Sequence, residues 1–323
     1  MGRRVLLLPH LHLLPGHERL NALADPEGPL PERPLLAPWL RRSEGPDGSL
    51  RLDYADEIAV VGGSAVTALV PLLDGTRTLA EIEAALGPGA EELVRTLAAE
   101  RLVVAGPAAG DEEALREAAL SGVAPTLAAR RLAAARIDLV GESRAAAELG
   151  RLLPGRVRRL LWHEPPLGAD LAVAAPSGAE LPELRGWNER CLAAGTPWLL
   201  VLPFNGRFAS VGPLFVPGET CCYECFVRRR ASALPDSDEL LALDLAPAPA
   251  PTGQSLAAAL AGLAAAAAAR WLARADAALP GAFFALELGD GLSLTRHRVL
   301  RVPRCAACSP AAETPPLLPW ASR

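Results

Sequence analysis

The sequence predicts an α/β protein made of two organised parts, and three observations support this prediction. The chain has 323 residues, of which 50% are hydrophobic and 21% charged, a length and composition typical of two domains with buried cores. Between residues 34 and 106, extended segments precede three short helices and a final strand. From residue 136 onward, strands and helices alternate, as in a sheet with helices packed on its faces.

Extended segments begin the N-terminal part. Residues 49–54 alternate between apolar and charged side chains, as in a strand with one buried face. Two glycines, a proline and an aspartate at residues 45–48 predict the turn that precedes it. The predicted strands are residues 34–41, 49–54 and 57–61.

Three short helices and a strand follow. Ser64 can cap the first helix, and Thr78 with Glu81 has the spacing of a capping box that begins the second. The third helix is predicted at residues 90–100 and a last strand at 102–104. This order of elements is that of a winged helix.

An Ala- and Arg-rich connector at residues 107–135 leads to the larger part, for which we predict a Rossmann-like sheet. A low-complexity proline run occupies residues 246–251. The predicted strands are 137–140, 157–162, 170–174, 198–202, 208–211, 214–216, 283–288 and 292–300, and the predicted helices are 144–153, 181–194 and 255–273.

Charge and composition exclude several classes of function. The net charge of -5 lacks the basic surplus that binds a nucleic-acid backbone or an anionic membrane, so we expect neither partner. Every basic residue is Arg, and without Lys there is no Schiff-base, pyridoxal-phosphate or P-loop lysine chemistry. The N-terminal apolar run is broken by Pro9, His10 and His12, unlike a signal peptide. The other apolar stretch, residues 255–269, is shorter than a bilayer span and predicts a buried helix, so we expect a cytoplasmic protein.

Two CxxC pairs carry the strongest chemical signal. Four thiolates at this spacing fill the tetrahedral shell of one structural Zn²⁺. Disulfides and thioredoxin-like redox chemistry are the alternatives, and reduced cytoplasmic thiols with a closed metal shell favour zinc over both. Cys191 is expected to be a small buried apolar residue, while Cys221 could compete with Cys222 as a ligand. The predicted ligands are Cys222, Cys225, Cys305 and Cys308.

The first strand-to-helix turn of the larger part does not suit a nucleotide. A phosphate-binding turn needs several glycines, but after Gly141 the corresponding positions are Ser143 and Ala146. Glu142 would place a carboxylate near any pyrophosphate. Glu164 stands where a ribose-binding acid could lie, although a lone Glu before two prolines is more often a solvated turn residue.

These residues lead to a family resemblance. Residues 212–218, GPLFVPG, which precede Cys222-x-x-Cys225, together with the late Cys305-x-x-Cys308, look like the ThiF/MoeB adenylating fold. Residues 72–78, LLDGTRT, and Ile82 resemble the PqqD-like recognition element of ribosomally made, modified peptides (RiPPs). Together the two parts resemble the ThiF-like (ocin-ThiF type) leader-binding partner of YcaO azoline cyclodehydratases, which make thiazole- and oxazole-containing peptides (TOMMs).

The resemblance implies a scaffold that is not catalytic alone. It would bind the leader of a precursor peptide, present the core to a YcaO-type enzyme that binds ATP, and form a homodimer. No catalytic or ATP-binding residue can be carried over, because the glycine-rich turn and the family's lysine are absent. The leader would add as a strand between the third strand and the third helix. The implied peptide-binding residues are Asp56, Glu57, Ile58, Ala59, Val60, Val61, Glu92, Arg95 and Ala99.

Two other functions stay open on these residues. One is an ATP-dependent adenylyltransferase that activates a carrier-protein or peptide C-terminus, and the other is a zinc-containing regulator whose winged helix binds DNA. The acidic balance argues against the second. For the leader-binding protein, the predicted division is an N-terminal extension (1–33), a PqqD-like domain (34–106), a connector (107–135), a ThiF-like α/β domain (136–311) and a tail (312–323).

Overall fold

A computed structural model describes residues 2–6, 30–38, 40–44, 50–54, 57–61, 64–100, 102–106, 125–233, 239, 252–288 and 291–309. Within these, residues 2–6, 53–54, 57–61, 64 and 125–126 are described by their backbone alone. The predicted turn at 45–48, the proline run at 246–251 and the tail at 312–323 lie outside the described residues. Contacts divide the chain into two compact units, Met1–Arg130 and Arg131–Arg323.

Two small sheets form the strand part of the first unit. One has four strands in the order β1-β5-β4-β3, and the other pairs β2 with β6 antiparallel. In the larger sheet β4 is antiparallel to both β3 and β5, whereas β1 runs parallel to β5. The strands are β1 Gly2–Leu6, β2 Pro34–Leu36, β3 Arg41–Glu44, β4 Leu50–Tyr54, β5 Glu57–Val61 and β6 Val103–Ala105.

The helices of this unit supply most of its core. Leu69, Ile82 and Val94 are fully buried, and Leu52 of β4 packs in the same cluster. Burial of each such side chain stabilises the fold by about 1.5–3 kcal/mol. The helical elements are α1 Ser64–Leu69, a 3₁₀ turn Val70–Leu72, α2 Leu79–Leu86 and α3 Ala90–Ala99.

The capping box predicted from Thr78 and Glu81 is confirmed. The backbone N–H of Glu81 donates to Thr78 Oγ1 at 3.3 Å, and the backbone N–H of Thr78 donates to Glu81 Oε2 at 2.7 Å. Two N–H groups that the first turn of α2 cannot satisfy are thereby bonded, so α2 begins where the sequence predicts.

The prediction of one strand over residues 34–41 is wrong. The structure has two strands there, β2 and β3, which belong to different sheets. Between them the Leu40 N–H donates to the Ala37 carbonyl at 3.1 Å, which closes a turn. Pro38 has no N–H to donate to a neighbouring strand, so the ladder cannot continue through it.

The second unit is built on a seven-stranded mixed sheet, which confirms the α/β prediction. Its order is β13-β12-β11-β10-β9-β7-β8. The strands from β10 to β8 are parallel, and β11, β12 and β13 are antiparallel to their neighbours. The strands are β7 Arg136–Val140, β8 Arg156–Leu160, β9 Leu171–Ala174, β10 Trp198–Leu202, β11 Phe208–Phe215, β12 Ala282–Glu287 and β13 Ser293–Arg298.

Helices cover both faces of this sheet, and alternate strand residues divide between two cores. Leu139 and Val173 pack with alanines of α5 and α8, while Val140 and Ala172 pack with Trp187 of α6 and with α7. The two strands predicted at residues 208–211 and 214–216 form one strand, β11 (Phe208–Phe215), which pairs with β10 on both sides of Gly212 and Pro213. The helices are α4 Pro125–Ala134, α5 Arg144–Leu152, a 3₁₀ turn Gly178–Glu180, α6 Glu183–Ala194, α7 Tyr223–Ala231 and α8 Gln254–Arg274.

Helix α8 is the one described helix that is long and apolar enough to cross a membrane by length and composition. A core helix of a globular protein passes the same test. Here Ala257, Leu260 and Ala264 are buried against the sheet and α5, as expected for a core helix.

An ion cluster closes the C-terminal end of α8. Asp276 is 5% exposed, and its Oδ2 accepts from Arg270 at 2.6 Å and lies 2.9 Å from an Arg274 nitrogen. Burial alone would raise the pKa of Asp276, but hydrogen bonds from the Ala278 N–H and from both arginines lower it to about 2. The ionised carboxylate therefore stabilises the fold at neutral pH.

Replacing Asp276 by Asn is expected to lower the free energy of unfolding by about 2 kcal/mol at pH 7. The folded-state pKa lies below the ordinary value of 3.8, so this stabilisation is complete above about pH 5 and is lost as the pH falls towards 2. Urea unfolding at several pH values measures it. Glu148→Gln, which removes an exposed pair with Arg151, is the control and should change little. A loss for Asp276→Asn that does not shrink in acid would contradict the assignment.

Candidate functional site

Four cysteines from distant segments meet at the start of α7. Cys222 caps α7 and Cys225 lies in its first turn, whereas Cys305 and Cys308 lie in turns that follow β13. Cys222 Sγ is 3.8 Å from Cys225 Sγ and 3.7 Å from Cys305 Sγ, and Cys225 Sγ is 3.6 Å from Cys308 Sγ. All four sulfurs lie within 4.8 Å of one another. Since Zn–S bonds of about 2.3 Å place tetrahedral sulfurs about 3.8 Å apart, the cluster has the dimensions of a zinc site.

Burial controls the charge of these thiols. Cys222, Cys225 and Cys305 are buried and Cys308 is half-buried. Burial raises the pKa of Cys222 and of Cys225, because a thiolate there loses its solvation. Burial opposes ionisation of Cys305 as well, but hydrogen bonds from the Cys308 and Ala307 backbones lower its pKa. Four thiolates in this volume need a central positive charge, and a divalent cation supplies it.

Backbone and arginine contacts hold the cluster from outside. The Val302 N–H donates to Cys225 Sγ at 3.3 Å. The Arg301 guanidinium donates to the Gly218 carbonyl at 3.1 Å and to the Cys308 carbonyl, and so joins the two cysteine-bearing segments. Such contacts orient the ligands before a metal binds.

The two surplus cysteines have other places. Cys191 is fully buried beside Leu184 and Trp187, as expected for a small apolar residue. Burial raises the pKa of Cys221 to about 12, and its sulfur does not belong to the four-sulfur cluster among the residues described. The structure therefore brings together Cys222, and not Cys221, with the other three predicted ligands.

The turn after β7 lies where the strand order of the sheet reverses, the position at which open α/β sheets bind ligands. Gly141 has a φ of 112°, and a Cβ built on it would lie 2.2 Å from the Ala175 carbonyl oxygen. Ser143 Oγ donates to that same oxygen at 2.7 Å and accepts from the Ala146 N–H at 3.0 Å, capping α5. The turn is thus pressed closely against the end of β9.

The Glu180 carboxylate binds one N–H group of this turn. Glu180 Oε2 accepts from the Glu142 N–H at 3.0 Å and from the Ser177 N–H at 2.8 Å, and Glu180 Oε1 accepts from Trp162 Nε1 at 2.7 Å. Burial opposes ionisation, but these hydrogen bonds lower the pKa of Glu180. The Glu142 N–H is therefore already hydrogen-bonded to Glu180. The Glu180 carboxylate also places a negative charge where a nucleotide phosphate would bind.

Glu180 is a residue of this site that the sequence motifs do not indicate. The pattern Ser177-x-x-Glu180 is a capping-box pattern and would have predicted its bond to Ser177. Its hydrogen bonds with Trp162 and with the Glu142 N–H join residues far apart in the sequence, so only the tertiary structure shows them. Two cavities of about 370 and 320 Å³ flank the turn, and Glu142 and Ser143 line both.

Gly141→Ala is expected to destabilise the second unit by about 3 kcal/mol or more, because the methyl group meets a backbone carbonyl and the positive φ is strained. Chemical unfolding measures the change. Gly262→Ala in α8 is the matched control, since nothing lies within 4 Å of the added carbon and Ala favours a helix by up to about 1 kcal/mol. Equal stabilities of the two variants would contradict the close approach at Gly141.

Glu164 is a turn residue. Its Oε2 accepts from the Leu161 N–H at 2.7 Å, and its own N–H donates to the Leu161 carbonyl at 3.0 Å. Both hydrogen bonds join residues three positions apart, which agrees with the interpretation of Glu164 as a turn residue.

The predicted peptide-binding strand is not a free edge. Strand β5 comprises Glu57, Ile58, Ala59, Val60 and Val61, and Asp56 lies outside the described residues. Strand β1 pairs with β5 in parallel, from Gly2 opposite Glu57 to Leu6 opposite Val61, while β4 lies along the other side. The N-terminal segment, expected to be a mere extension, thus supplies the strand that covers β5.

The helical part of the predicted peptide site lies on an exposed face. Glu92, Arg95 and Ala99 are all exposed on α3, whose apolar side faces the core. Arg95 pairs with Glu91 at 2.7 Å and lies 3.7 Å from Glu92. Pairs this exposed contribute little to stability, so these side chains can exchange partners readily.

Solved structures share this fold. The TruD heterocyclase matches with a TM-score of 0.70 and 23% identity, covering 87% of this chain and 43% of that one. A heterocyclase in complex with substrate and cofactor matches with a TM-score of 0.69 and 23% identity, covering 86% and 39%. E. coli MccB with ATP matches with a TM-score of 0.58 and 16% identity, covering 85% and 99%.

The lengths of these matches differ. The chain spans less than half of each heterocyclase chain, whereas it spans nearly the whole of MccB. No protein-family model and no curated protein sequence matches it. The chain therefore has, over 85–87% of its length, the fold shared by the TruD heterocyclase and MccB.

Proposed function

We propose that this chain captures the leader of a ribosomal precursor peptide and presents the peptide to a YcaO-type cyclodehydratase. The product would be a thiazoline, an oxazoline or another modified backbone. The match to the TruD heterocyclase carries the proposal, because that fold extends over 87% of this chain. As the resemblance of the sequence implies, the YcaO-type enzyme would bind ATP and perform the chemistry.

The resemblances of the sequence complete this proposal. The first unit would be a PqqD-like RiPP recognition element, and the second a ThiF-like domain of the ocin-ThiF type, acting as a homodimer in the cytoplasm. Within the five-part division proposed from the sequence, the recognition element spans residues 34–106. Structures of MccB in complex with N-formylated MccA show that a protein of this fold can hold a peptide, which supports the proposal.

Strand addition to β5 is the proposed mode of capture. An extended leader would form main-chain hydrogen bonds along Glu57–Val61, and side chains on the exposed face of α3 would add selectivity. Since β1 already lies along β5, we propose that the leader displaces it. The five paired residues of β1 indicate the length of strand that this edge accepts.

The cysteine cluster has a structural role in this proposal. Cys222, Cys225, Cys305 and Cys308 would hold one Zn²⁺, which has no redox chemistry of its own and cross-links protein segments. Four thiolates leave no coordination position for a substrate. The metal would tie the start of α7 to the turns after β13 and so keep the sheet and its helices together.

The chain is proposed to lack ATP chemistry of its own. Glu142 is a residue of the turn after β7, and the Glu180 carboxylate already accepts from its N–H group. ATP would bind to the YcaO-type partner, whose absence should leave the purified chain inactive. ATP-dependent turnover by the chain alone would overturn this part of the proposal.

Fluorescence polarisation of a labelled leader peptide tests the capture site. Proline removes one ladder N–H, and adjacent residues of a strand direct their main-chain groups to opposite neighbours. Val60→Pro and Ala59→Pro therefore remove N–H groups on opposite sides of β5. One of them should weaken leader binding about tenfold or more while the other mainly weakens the pairing with β4.

The matched control is Arg42→Pro in β3, at the opposite edge of the same sheet. It should retain leader binding if circular dichroism shows a folded chain. Leaders from genes beside that of this protein are the peptides to use. Failure of all of them to bind the folded wild-type protein would overturn the proposal.

An ATP-dependent adenylyltransferase is the second candidate. The match to MccB with ATP favours it, because the chain covers 99% of that protein. Its substrate would be the C-terminus of a carrier protein or peptide. Exchange of pyrophosphate into ATP that depends on such a substrate distinguishes it from a leader-binding scaffold.

A further inference from the structure

Strand β13 ends the seven-stranded sheet and has no second neighbour among the residues that the structure describes. All six of its residues are exposed, and β12 is its neighbour on one side. The Val299 N–H donates to the Gly281 carbonyl at 2.9 Å, and main-chain groups alternate along an antiparallel strand. Ser293, Thr295 and His297 therefore face β12. The residues that direct their N–H and C=O groups to the free edge are Leu294, Arg296 and Arg298.

Positive charge and apolar surface coincide along this edge. Residues 291–309 contain four arginines and no acidic residue, although the whole chain has a net charge of -5. Arg229 of α7 donates to the Leu300 and Arg301 carbonyls at 3.4 and 3.1 Å and brings another cation close by. The exposed fractions of three leucines are 79% for Leu292, 54% for Leu294 and 61% for Leu300.

We propose that β13 is a docking edge for an extended acidic segment of another protein. A strand of that partner would pair with the free N–H and C=O groups of Leu294, Arg296 and Arg298. Its carboxylates would meet the arginines, and its apolar side chains would cover Leu294 and Leu292. Main-chain pairing provides affinity in this mode of recognition, and the charge pattern provides specificity. This docking edge belongs to the second unit and does not depend on leader binding.

A second copy of the chain fits this edge poorly. Antiparallel pairing of β13 with itself, centred on Arg296, places the two Arg296 side chains directly opposite each other. It also sets Arg298 of each copy opposite Leu294 of the other and diagonal to its Arg296. Like charges directly opposite one another destabilise a sheet. The partner should therefore carry the opposite charge.

Leu294, Arg296 and Arg298 lie on one face of the strand, since side chains alternate along it. The probe is therefore a labelled peptide whose alternate residues are Val, Glu and Glu, with Thr between them, and the same peptide with Lys in place of Glu is its control. Fluorescence polarisation should show binding of the acidic peptide that weakens as salt is added. Leu294→Pro, which removes an N–H at the free edge, should weaken binding about tenfold or more, and Arg298→Glu several-fold. Arg156→Glu reverses an exposed charge on β8, at the other edge of the same sheet, and should bind like the wild type.

Circular dichroism and zinc content show whether each variant is folded. A variant that fails this check is replaced by Arg298→Glu alone, which leaves the backbone unchanged. Absence of acidic-peptide binding, or equal binding of the basic peptide, overturns the proposal. Preference for a single-stranded DNA over the acidic peptide overturns it as well, and so does a homodimer in sedimentation that Leu294→Pro abolishes. If the chain binds the acidic peptide but no leader, the proposed leader-binding function is wrong and the docking edge at β13 stands.

Discussion

Deletion of residues 2–6 is expected to raise the affinity for the leader peptide by about tenfold or more. Strand β1 lies on β5 through five paired residues and competes with the leader for the same main-chain groups. Because β1 belongs to the same chain, it competes at a high effective concentration. The leader can bind only those molecules in which β5 is uncovered, so its apparent affinity falls as that fraction falls. Fluorescence polarisation of the deletion variant and of the wild type measures the difference.

Two controls accompany this deletion. Arg4→Pro and Val5→Pro keep the chain length, and since adjacent N–H groups point to opposite sides of β1, one of the two variants removes an N–H that faces β5 and should also raise the affinity. Deletion of residues 312–323 shortens the chain at the other end and should leave the affinity unchanged. Weaker leader binding after the loss of β1 would mean that the leader adds to the outer side of β1, and the displacement mechanism would be wrong.

Removal of one cysteine of the four-sulfur cluster is expected to abolish zinc binding and to lower the Tm by about 10 °C or more. In Cys222→Ala three thiols remain, and the free energy with which the metal supports the folded state is lost. Atomic absorption should find about one zinc per chain in the wild type and almost none in the variant. A strong chelator should produce the same loss of thermal stability in the wild-type protein.

Cys221→Ala provides the matched control, since Cys221 is the adjacent buried cysteine and does not belong to the cluster. It should retain the metal. Because burial raises the pKa of Cys222 and Cys225, zinc binding must release protons, and the zinc affinity should fall as the pH is lowered. Equal zinc contents of Cys221→Ala and Cys222→Ala would contradict the assignment of the ligands.

Local patterns in the sequence were sufficient to predict most strands and helices of the second unit. The strands β9 and β10 are continuous apolar runs, and helices between parallel strands follow from the alternation. The capping box at Thr78 and Glu81 is likewise a local pattern with local bonds. The winged-helix and Rossmann-like interpretations remain predictions, because they concern the arrangement of elements and not their presence.

Non-local contacts decided the points that the sequence analysis missed. Pro38 divides a segment that reads as one strand, since its two halves find partners in different sheets. Glu180 reaches the turn after β7 from a segment about forty residues later, and only the folded sheet brings them together. The covering of β5 by β1 joins residues more than fifty positions apart, and no periodicity indicates it.

The sequence by itself determined the α/β class, the absence of lysine chemistry and the two CxxC pairs, because composition, periodicity and CxxC spacing are properties of short segments. The tertiary structure alone decided that Cys222, and not Cys221, joins the other three sulfurs within 4.8 Å, and that β5 is covered. It also decided that Glu180 accepts from the turn after β7 and that, among the described residues, β13 has a neighbour on one side. The physical reason is that main-chain hydrogen bonds are nearly independent of side-chain type, so the pairing partner of a strand edge is set by the fold around it.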